Sequence, residues 1–520
     1  MFDGPWHGGG VYLRAGAAVD AAQAILDRPI LETVWDVVQR RPDSLAMAGI
    51  VDRLSYAGLW RLAESIAGRL GEGEGPVGVL LPVGVTYFPA LLACLMAGRI
   101  TVLMDPVLPV ARIDALVAQL AVPVLLVAAD GPDLATEARP VTVTAMDPGP
   151  AALTAPERGR DLFAPAFILF TSGSTGQPKA VVQHQACALQ YAAYQANFYQ
   201  PGPGAVHLCA FAPSAFTGLI GLNAFALTGG CTRLFDLRRE GLSGLADLLR
   251  AYPEGYLRIS PSVLRLFLQS EDAAALMAGL RSVLLIGEVV LQSDVVALRA
   301  ILTGGGSILS HYGATECAGF GWVHAPDDAF DPVRGPIGRV APGTEAMLAD
   351  EHGRPADDGE PGELVIRSRY SALGEWQKGA VVPGRLLADA ADPAYRIYRT
   401  GDLTRRVGDV YVVLGRVDRM VKVNGMRVEP AEIEEKARLS GEATGCAVVA
   451  SGGVGRVTLT AYVVLRSGAV PGDAGRLRTY LRQTLPGPMV PARIVVIELL
   501  PLLANGKVDY QALVGTTQAP

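Results

Sequence analysis

Cysteine is scarce in this sequence and never paired. The six that occur (Cys94, Cys187, Cys209, Cys231, Cys317 and Cys446) stand far apart, with no C-x-x-C among them. This argues against a disulfide framework and a cysteine-rich zinc site, and predicts reduced, buried thiols in a cytoplasmic protein. Histidine is equally sparse, with six residues and no ligand spacing, so no structural metal is expected. Charge is limited too. Charged residues make up 18% of the chain against 50% hydrophobic ones, the balance of a globular protein rather than a disordered one. There is no excess of positive charge: the net of −6 and a pI near 5.7 argue against a nucleic-acid coat or a polybasic membrane anchor. Internal repeats are missing, and the N-terminal MFDGPWHGGG lacks the basic-then-apolar pattern of a signal peptide.

Long apolar runs are also lacking, with one exception. From Val77 to Met104 the only charge is Arg99, a length that would suit a membrane span. Pro82, Gly84 and Pro89 interrupt it, however. It divides into a strand over 77–81, a helix over 85–97 and a strand over 100–104, a βαβ unit buried on both faces. A soluble protein is the expectation.

With 520 residues, two or more packed units are predicted. Short β-rich runs (PVLLV at 123–127, FILF at 167–170, SVLLI at 282–286) alternate with helical stretches over the first 300 residues or so, the mark of a layered α/β domain. Residues 335–415 turn to Gly, Pro and short strands such as ELVIR and VYVVLG. The end reads as a smaller α/β piece: a helix near 430–439, strands at CAVVA and LTAYVVL, a helix near 476–484 and a frayed GTTQAP tail. Residues 416–520 hold 13 Lys and Arg against 9 Asp and Glu, leaving the remainder at −10. Such a basic small unit could meet an acidic partner, although solvated surface accounts for most such charges.

The sharpest chemical signal is Thr171-Ser172-Gly173-Ser174-Thr175-Gly176-Gln177-Pro178-Lys179, placed directly after FILF. Small hydroxyl and glycine residues after a strand make a loop whose backbone N–H groups and hydroxyls can wrap phosphate oxygens, with the lysine adding a point charge. The Walker spacing G-x4-GK[ST] is absent. Composition alone would also allow a polar linker.

This segment resembles the phosphate loop of the acyl-adenylate-forming superfamily, which includes peptide-synthetase adenylation domains, acyl- and aryl-CoA ligases and luciferases. Further matches follow in that family's order: YGATE (Tyr312 to Glu316), GELVIR (Gly362 to Arg367), YRTGDL (Tyr398 to Leu403), GRVDRMVKVNGMRVEPAEIE (Gly415 to Glu434) and LPLLANGKVDY (Leu500 to Tyr510). Upstream, GVLLPVGVTYFPALLACLMAGRITVLMDPVLPVARI resembles the early core motif of the peptide-synthetase branch, stand-alone members included. The likeness spans roughly residues 30–515.

The resemblance implies an α/β fold with a large layered domain over 1–417 that binds acid and ATP and has a β-rich end. A small mobile α/β domain over 418–520 would carry the catalytic lysine. It implies ATP and Mg²⁺, a carboxylic acid activated as acyl-AMP with release of pyrophosphate, and no nucleic-acid or membrane partner. Thr171, Ser172, Gly173, Ser174, Thr175, Gly176 and Lys179 would handle phosphates. Tyr312 would stack on adenine and Thr315 hydrogen-bond the α-phosphate. Glu316 would hold Mg²⁺, a hard cation suited to carboxylate and phosphate oxygens. Asp402 would accept the ribose hydroxyls, with Arg416 making a further ribose contact, and Lys507 would bridge substrate carboxylate and α-phosphate. Asp418 corresponds to the hinge about which the small domain turns after adenylation, bringing the Gly425 region up for thiol attack, with Lys422 beside that surface. His184 reads as structural. Ala180 and Ala314 stand where many peptide-synthetase relatives carry Gly and Pro.

One part of the pattern breaks. The family's Phe-Asp pair, whose aspartate holds the substrate α-ammonium, is here Phe211-Ala212, and alanine cannot balance a buried ammonium. The expected substrate is an acid without a canonically bound α-amino group, or one whose amine another residue binds. Phe216, Arg258, Leu284, Ile286, His311, Gly319 and Phe320 would complete the pocket. Arg258 either meets a second acidic group of the substrate or points elsewhere and pairs with protein, since a one-residue slip moves a strand residue to the other face. His311 either donates to a substrate oxygen or packs. With no carrier or condensation domain flanking the motifs, a free-standing enzyme, or one excised from a longer chain, is expected to load the phosphopantetheine thiol of a separate carrier protein; transfer to coenzyme A is the alternative. A non-catalytic nucleotide or acid sensor on the same fold is disfavoured by the joint presence of Lys179, Glu316, Asp402 and Lys507.

Overall fold

The computed structural model describes residues 6–8, 26, 28–145, 152–171, 179–199, 204–324, 336–357, 359–419, 421–423, 426–428, 430–451, 458–466, 473–502, 508–510 and 512–513. Within it, the apolar segment that raised the membrane question forms strand Val77–Leu80, helix Tyr87–Met96 and strand Thr101–Leu103, the two strands parallel with Val77 opposite Thr101. The helix starts two residues later than its hydrophobicity suggests, because the Tyr87 amide closes a turn onto Gly84 O at 3.3 Å. Every residue from Tyr87 to Leu95 is buried, which accounts for the missing polar face without a bilayer. Among the described residues no helix is long and apolar enough to cross a membrane.

Two large sheets dominate the first 320 residues. One runs Ala380–Val382, Gly374–Gln377, Lys179–His184, Pro165–Thr171, Thr101–Leu103, Val77–Leu80, Val124–Val127 and Arg139–Thr142, antiparallel as far as Pro165–Thr171 and parallel from there on. The other runs Arg339–Val340, Cys317–Val323, Ser307–Ala314, Ser282–Ile286, Tyr256–Ile259, Val206–Cys209, Cys231–Leu234, Leu45–Ala48 and Arg53–Ser55. Between them lies a helical layer that includes Tyr56–Leu70, Tyr87–Met96, Gln185–Tyr199 and Phe216–Ala226, and residues of both sheets join it in the largest hydrophobic cluster. A second cluster lies on the far face of the nine-stranded sheet, against helices Leu237–Ala251, Pro261–Phe267 and Gln292–Ile301.

Strand alternation sorts the nine-stranded sheet between these clusters. Leu257, Ile259, Val283, Leu285 and Ile308 face outward, while Cys209, Leu284, Ile286 and Leu309 face the inner helices. The early helix Tyr56–Leu70 is capped by Ser55 Oγ, which accepts from Gly58 N at 3.1 Å.

The β-rich stretch forms a third sheet, in which Thr344–Ala349, Gly362–Ser368, Arg396–Val407 and Val410–Arg416 are joined by His7–Gly8 on one edge. The C-terminal part has its own cluster, built from strands Ala443–Ser451, Thr458–Leu465 and Arg493–Val496 and helices Pro430–Leu439 and Asp473–Thr484. The chain is thus a mixed α/β protein, as its alternating pattern predicts. All six cysteines are free and buried. The GTTQAP tail lies outside the described residues.

Candidate active site

Strands Pro165–Thr171 and Lys179–His184 run antiparallel, with Thr171 opposite Lys179. The phosphate-loop sequence therefore closes a hairpin at a strand end, and Ser172 to Pro178 themselves lie outside the described residues. Lys179 Nζ stands 3.3 Å from Glu375 Oε1, on the adjoining strand Gly374–Gln377. Sequence reading missed Glu375, because GEWQKG carries no spacing that sets it apart from surface charge.

The second group of residues sits on a two-residue hairpin turn. Ala314 pairs with Cys317, leaving Thr315 and Glu316 at its tip. Gln183 Nε2 donates to Thr315 O, and Ala372 N donates to Glu316 O at 2.9 Å, so neighbouring strands pin the turn. The Glu316 carboxyl is held above the usual carboxylate range, chiefly by burial; Arg385 and Lys179 pull it back down, and Glu375 pushes it further up. A largely buried carboxylate with the Arg385 and Lys179 charges beside it has the hard-oxygen chemistry that suits Mg²⁺.

Asp402 organises the third group. Arg416 Nη1 donates to Asp402 Oδ1 at 3.0 Å and to Thr400 O at 2.9 Å, and the Tyr312 hydroxyl donates to Asp402 Oδ2. Burial raises the Tyr312 phenol well above its usual range, with the Asp402 charge adding to the effect, so it remains a donor. Gly401 sits at φ +74°, and a Cβ there would lie 2.8 Å from Arg416 Nη2; only glycine both takes this turn and lets the guanidinium approach. Beyond Arg416 the chain makes a single 3₁₀ turn, Val417–Arg419. Arg419 Nη2 then donates to Glu434 Oε1 at 2.7 Å and to Val448 O at 3.1 Å, in the C-terminal part. The side chains of Asp418 and Lys422, and all of Gly425 and Lys507, lie outside what is described.

Four of the expected acid-pocket residues, Arg258, Leu284, Ile286 and His311, lie together on the inner face of the nine-stranded sheet. Phe320, paired with Tyr312 and packed on Tyr411, faces the other way because successive strand residues alternate. Arg258 pairs with Cys209 on one side and Leu284 on the other, and Ile286 pairs with His311. Arg258 therefore shares the inward face with Leu284, Ile286 and His311, which settles the one-residue ambiguity of the strand. Phe216 opens the inner helix Phe216–Ala226, and Ala212 and Phe211 precede it. Its ring meets Tyr191 edge-on at 5.3 Å, and Tyr191 lies 4.8 Å from the His311 ring. Tyr194, on the same helix as Tyr191, flanks His311 at 5.5 Å. Phe320 packs on Tyr312 at 5.7 Å, and a Cβ on Gly319 would lie 1.8 Å from Tyr312 O, so the two strands touch there. Tyr191 and Tyr194 were missed from sequence, since aromatic residues on an apolar helix look like ordinary core. Among the described residues His311 has no partner at Nε2, and its pKa is lowered to about 3, first by burial and then by the Arg258 charge. His184 is buried, with Nε2 3.0 Å from Ser371 O and Nδ1 accepting from Cys187 N at 3.1 Å, a fixed part of the framework.

A family model described as AMP-binding enzyme matches residues 34–376. Phosphinothricin tripeptide synthetase PhsC of Streptomyces viridochromogenes is 31% identical over 502 residues, 92% of this chain and 44% of that protein. Tyrocidine synthase 3 of Brevibacillus parabrevis is 30% identical over 499 residues, 93% of this chain and 8% of that protein. The chain thus spans less than half the length of these relatives. Among solved structures, the anthranilate CoA ligase AuaEII in complex with anthranoyl-AMP superposes with a TM-score of 0.80 at 20% identity, covering 95% of this chain and 98% of that one, and so shares the fold. This chain belongs to the AMP-binding enzyme family, the ATP-using ligases that form acyl-adenylates, and lies close to the adenylation domains of nonribosomal peptide synthetases.

Proposed function

We propose that this enzyme activates a carboxylic acid as its acyl-AMP and then passes the acyl group to the phosphopantetheine thiol of a separate carrier protein. The observation that carries this reading is the convergence of motifs scattered in sequence between Lys179 and Arg416. Lys179 starts a strand and its charge acts on Glu316, at the tip of the turn that follows Tyr312, and Tyr312 and Arg416 both bind Asp402. In this reading the phosphate loop and Lys179 bind the polyphosphate, and Asp402 and Arg416 orient the ribose.

Two anions must meet, the acid's carboxylate and the α-phosphate. At about 4 Å such a pair costs on the order of 4 kcal/mol at intermediate dielectric. Mg²⁺ on Glu316 supplies charge neutralisation when bound, and Lys507 would offset the charge that develops between carboxylate and phosphate. Tyr312 would hold the adenine side and Thr315 the α-phosphate.

The division at 417/418 is part of the proposal. Arg416 is tied to Asp402 and Arg419 to Glu434, leaving Val417 and Asp418 as the residues between two separately anchored segments. Rotation there would exchange the Lys507 face for the Gly425 region before thiol attack. The acid would be one whose α-amino group, if present, is not held at Ala212, since a methyl side chain provides no counter-charge.

The test is ATP–pyrophosphate exchange over a panel of carboxylic acids with and without Mg²⁺, followed by thiol acceptors. Mg²⁺-dependent exchange that requires an acid is expected. ADP as product, or no exchange with any acid, would overturn the reading. Coenzyme A as acceptor is the second reading, favoured by the fold shared with a CoA ligase.

A further inference from the structure

Arg258 is fully buried, with a relative exposure of 0%. Its Nη1 donates to Thr217 O at 2.6 Å, while Nε and Nη2 have no partner among the described residues. The two unpartnered nitrogens are not scattered around the group. Nε–H and one Nη2–H lie parallel along one edge of the guanidinium, the fork that takes both oxygens of a carboxylate, whereas Nη1 anchors the opposite edge. Among the described residues no carboxylate is within ion-pair distance of Arg258. Its polar neighbours do not supply the missing charge. His207 and His311 are both neutral, made less basic by burial and then by Arg258 itself. The position is fixed from behind: a Cβ on Gly221 would lie 3.1 Å from Arg258 Cζ, so the inner helix packs tightly against the guanidinium.

Arginine cannot escape an apolar site by losing its proton, and a buried cation without a counter-ion is strongly destabilising. Partial pairing with one carbonyl does not neutralise it. Among the described residues none supplies that anion, and the face that Arg258 shares with Leu284, Ile286 and His311 is the one proposed above to receive the acid. We propose that the substrate is a dicarboxylic acid, one carboxylate of which is activated while the other binds side-on to Nε and Nη2 of Arg258. The proposal rests on the adenylation reading above and names the substrate class of that same site. It explains two departures at once. Ala212 leaves the α-ammonium position neutral, and Arg258, anchored on Thr217 O, supplies charge recognition of reversed sign. His311, held between Tyr191 and Tyr194 with Nε2 unpartnered, is placed to offer the second carboxylate a neutral hydrogen bond.

The experiment compares short linear dicarboxylic acids with their monoamides of equal length, in ATP–pyrophosphate exchange on the full chain. The wild-type enzyme should prefer a diacid over its monoamide, and Arg258→Met should shrink that preference by about 30-fold or more, the low end for truncating one partner of a desolvated charge pair. Melting temperature supplies a readout independent of turnover. Without substrate, Arg258→Met should melt higher than wild type because an unpaired buried charge has gone, and a diacid without ATP should raise the wild-type melting point more than its monoamide does. A monoamide used as well as its diacid, an unchanged preference in Arg258→Met, or a lower melting point for that variant would each overturn the assignment. Exchange with other acids but no diacid would overturn it while leaving adenylation standing. No exchange with any acid, neutral ones included, would remove the adenylation reading beneath it as well.

Discussion

Arg416 and Arg419 are three residues apart and hold different parts of the chain. Arg416 Nη1 lies 3.0 Å from Asp402 Oδ1, in the β-rich sheet, and Arg419 Nη2 lies 2.7 Å from Glu434 Oε1, on the C-terminal helix Pro430–Leu439. Any rotation of one part against the other that keeps both contacts must be taken up by the backbone of Val417 and Asp418.

That restriction makes Asp418→Pro informative. Proline fixes φ near −65° and removes an N–H, so it stiffens the link without touching either anchor. Pyrophosphate exchange should stay near wild type while thioester formation on the thiol acceptor falls by an order of magnitude or more. Rapid-quench assays of the two half-reactions would separate them. Equal loss of both steps would assign the position to folding or nucleotide binding instead.

Asp402 is the shared acceptor for Arg416 and Tyr312. Asp402→Ala should raise the KM for ATP by roughly 10- to 100-fold, the range of about 1.5–3 kcal/mol for hydrogen bonds to a charged group. Tyr312→Phe should cost much less, because the ring remains and only the hydroxyl that orients Asp402 is lost. Lys507→Ala should leave the KM for ATP near wild type and lower the exchange rate by about two orders of magnitude or more, the scale of a lost transition-state charge contact. Exchange kinetics with ATP varied at saturating acid check all three, and near-wild-type exchange in Lys507→Ala would remove that residue from the chemistry.

What was legible in the sequence follows from how locally it is encoded. The Val77–Met104 unit and helix Pro430–Leu439 are readable because periodicity, Pro and Gly all agree within a few residues. The ATP motifs are readable because each keeps its residues contiguous. Glu375, by contrast, lies 196 residues from Lys179, and only the pairing of Glu375 with Val181 across two strands brings them together. Arg258 was identified but not oriented, since a four-residue strand does not state which face is inward until its neighbours Cys209 and Leu284 are known. Tyr191 and Tyr194 were invisible for the same reason: nothing local distinguishes an aromatic that packs on a site histidine from one that fills the core.

The buried histidines predict an acid limb in the stability curve. Burial lowers the pKa to about 4 in His184 and to about 3 in His311 and His324, and it also holds His207 well below the usual imidazole range. Each is neutral when folded but takes up a proton near pH 6.5 when unfolded, so the unfolded state binds more protons through this window. Stability is therefore fully present above about pH 6.5 and is lost as pH falls toward 4, by up to ~1.4 kcal/mol per pH unit for each histidine. Glu316, whose pKa is raised, acts in the opposite sense, but as one group against four. Guanidinium unfolding at pH 7 and pH 5 should show a clear drop in midpoint at the lower pH, and His311→Gln should flatten the slope. Equal midpoints would mean that the imidazoles are accessible to protons in the folded state.

Glu375 provides the last prediction, because its carboxylate lies where the nucleotide's own charge should fall. Its side chain is 16% exposed and that of Lys179 28%, so the 3.3 Å pair is partly shielded from solvent without being deeply buried. In the proposed role of Lys179, polyphosphate would share or replace this contact, and Glu375 adds a negative charge beside Glu316. Glu375→Gln removes that charge and keeps the shape, freeing Lys179 for phosphate. The KM for ATP should fall by up to about fivefold, corresponding to the ~0.2–1 kcal/mol of a pair not fully desolvated. The effect should shrink at high salt, where screening weakens both the pair and the repulsion. Exchange kinetics at low and high ionic strength, with Mg²⁺ held in excess, would measure both changes. A rise in KM that additional Mg²⁺ restores would instead make Glu375 a second carboxylate partner of the nucleotide-bound cation, and the Lys179 pair a contact made only in its absence.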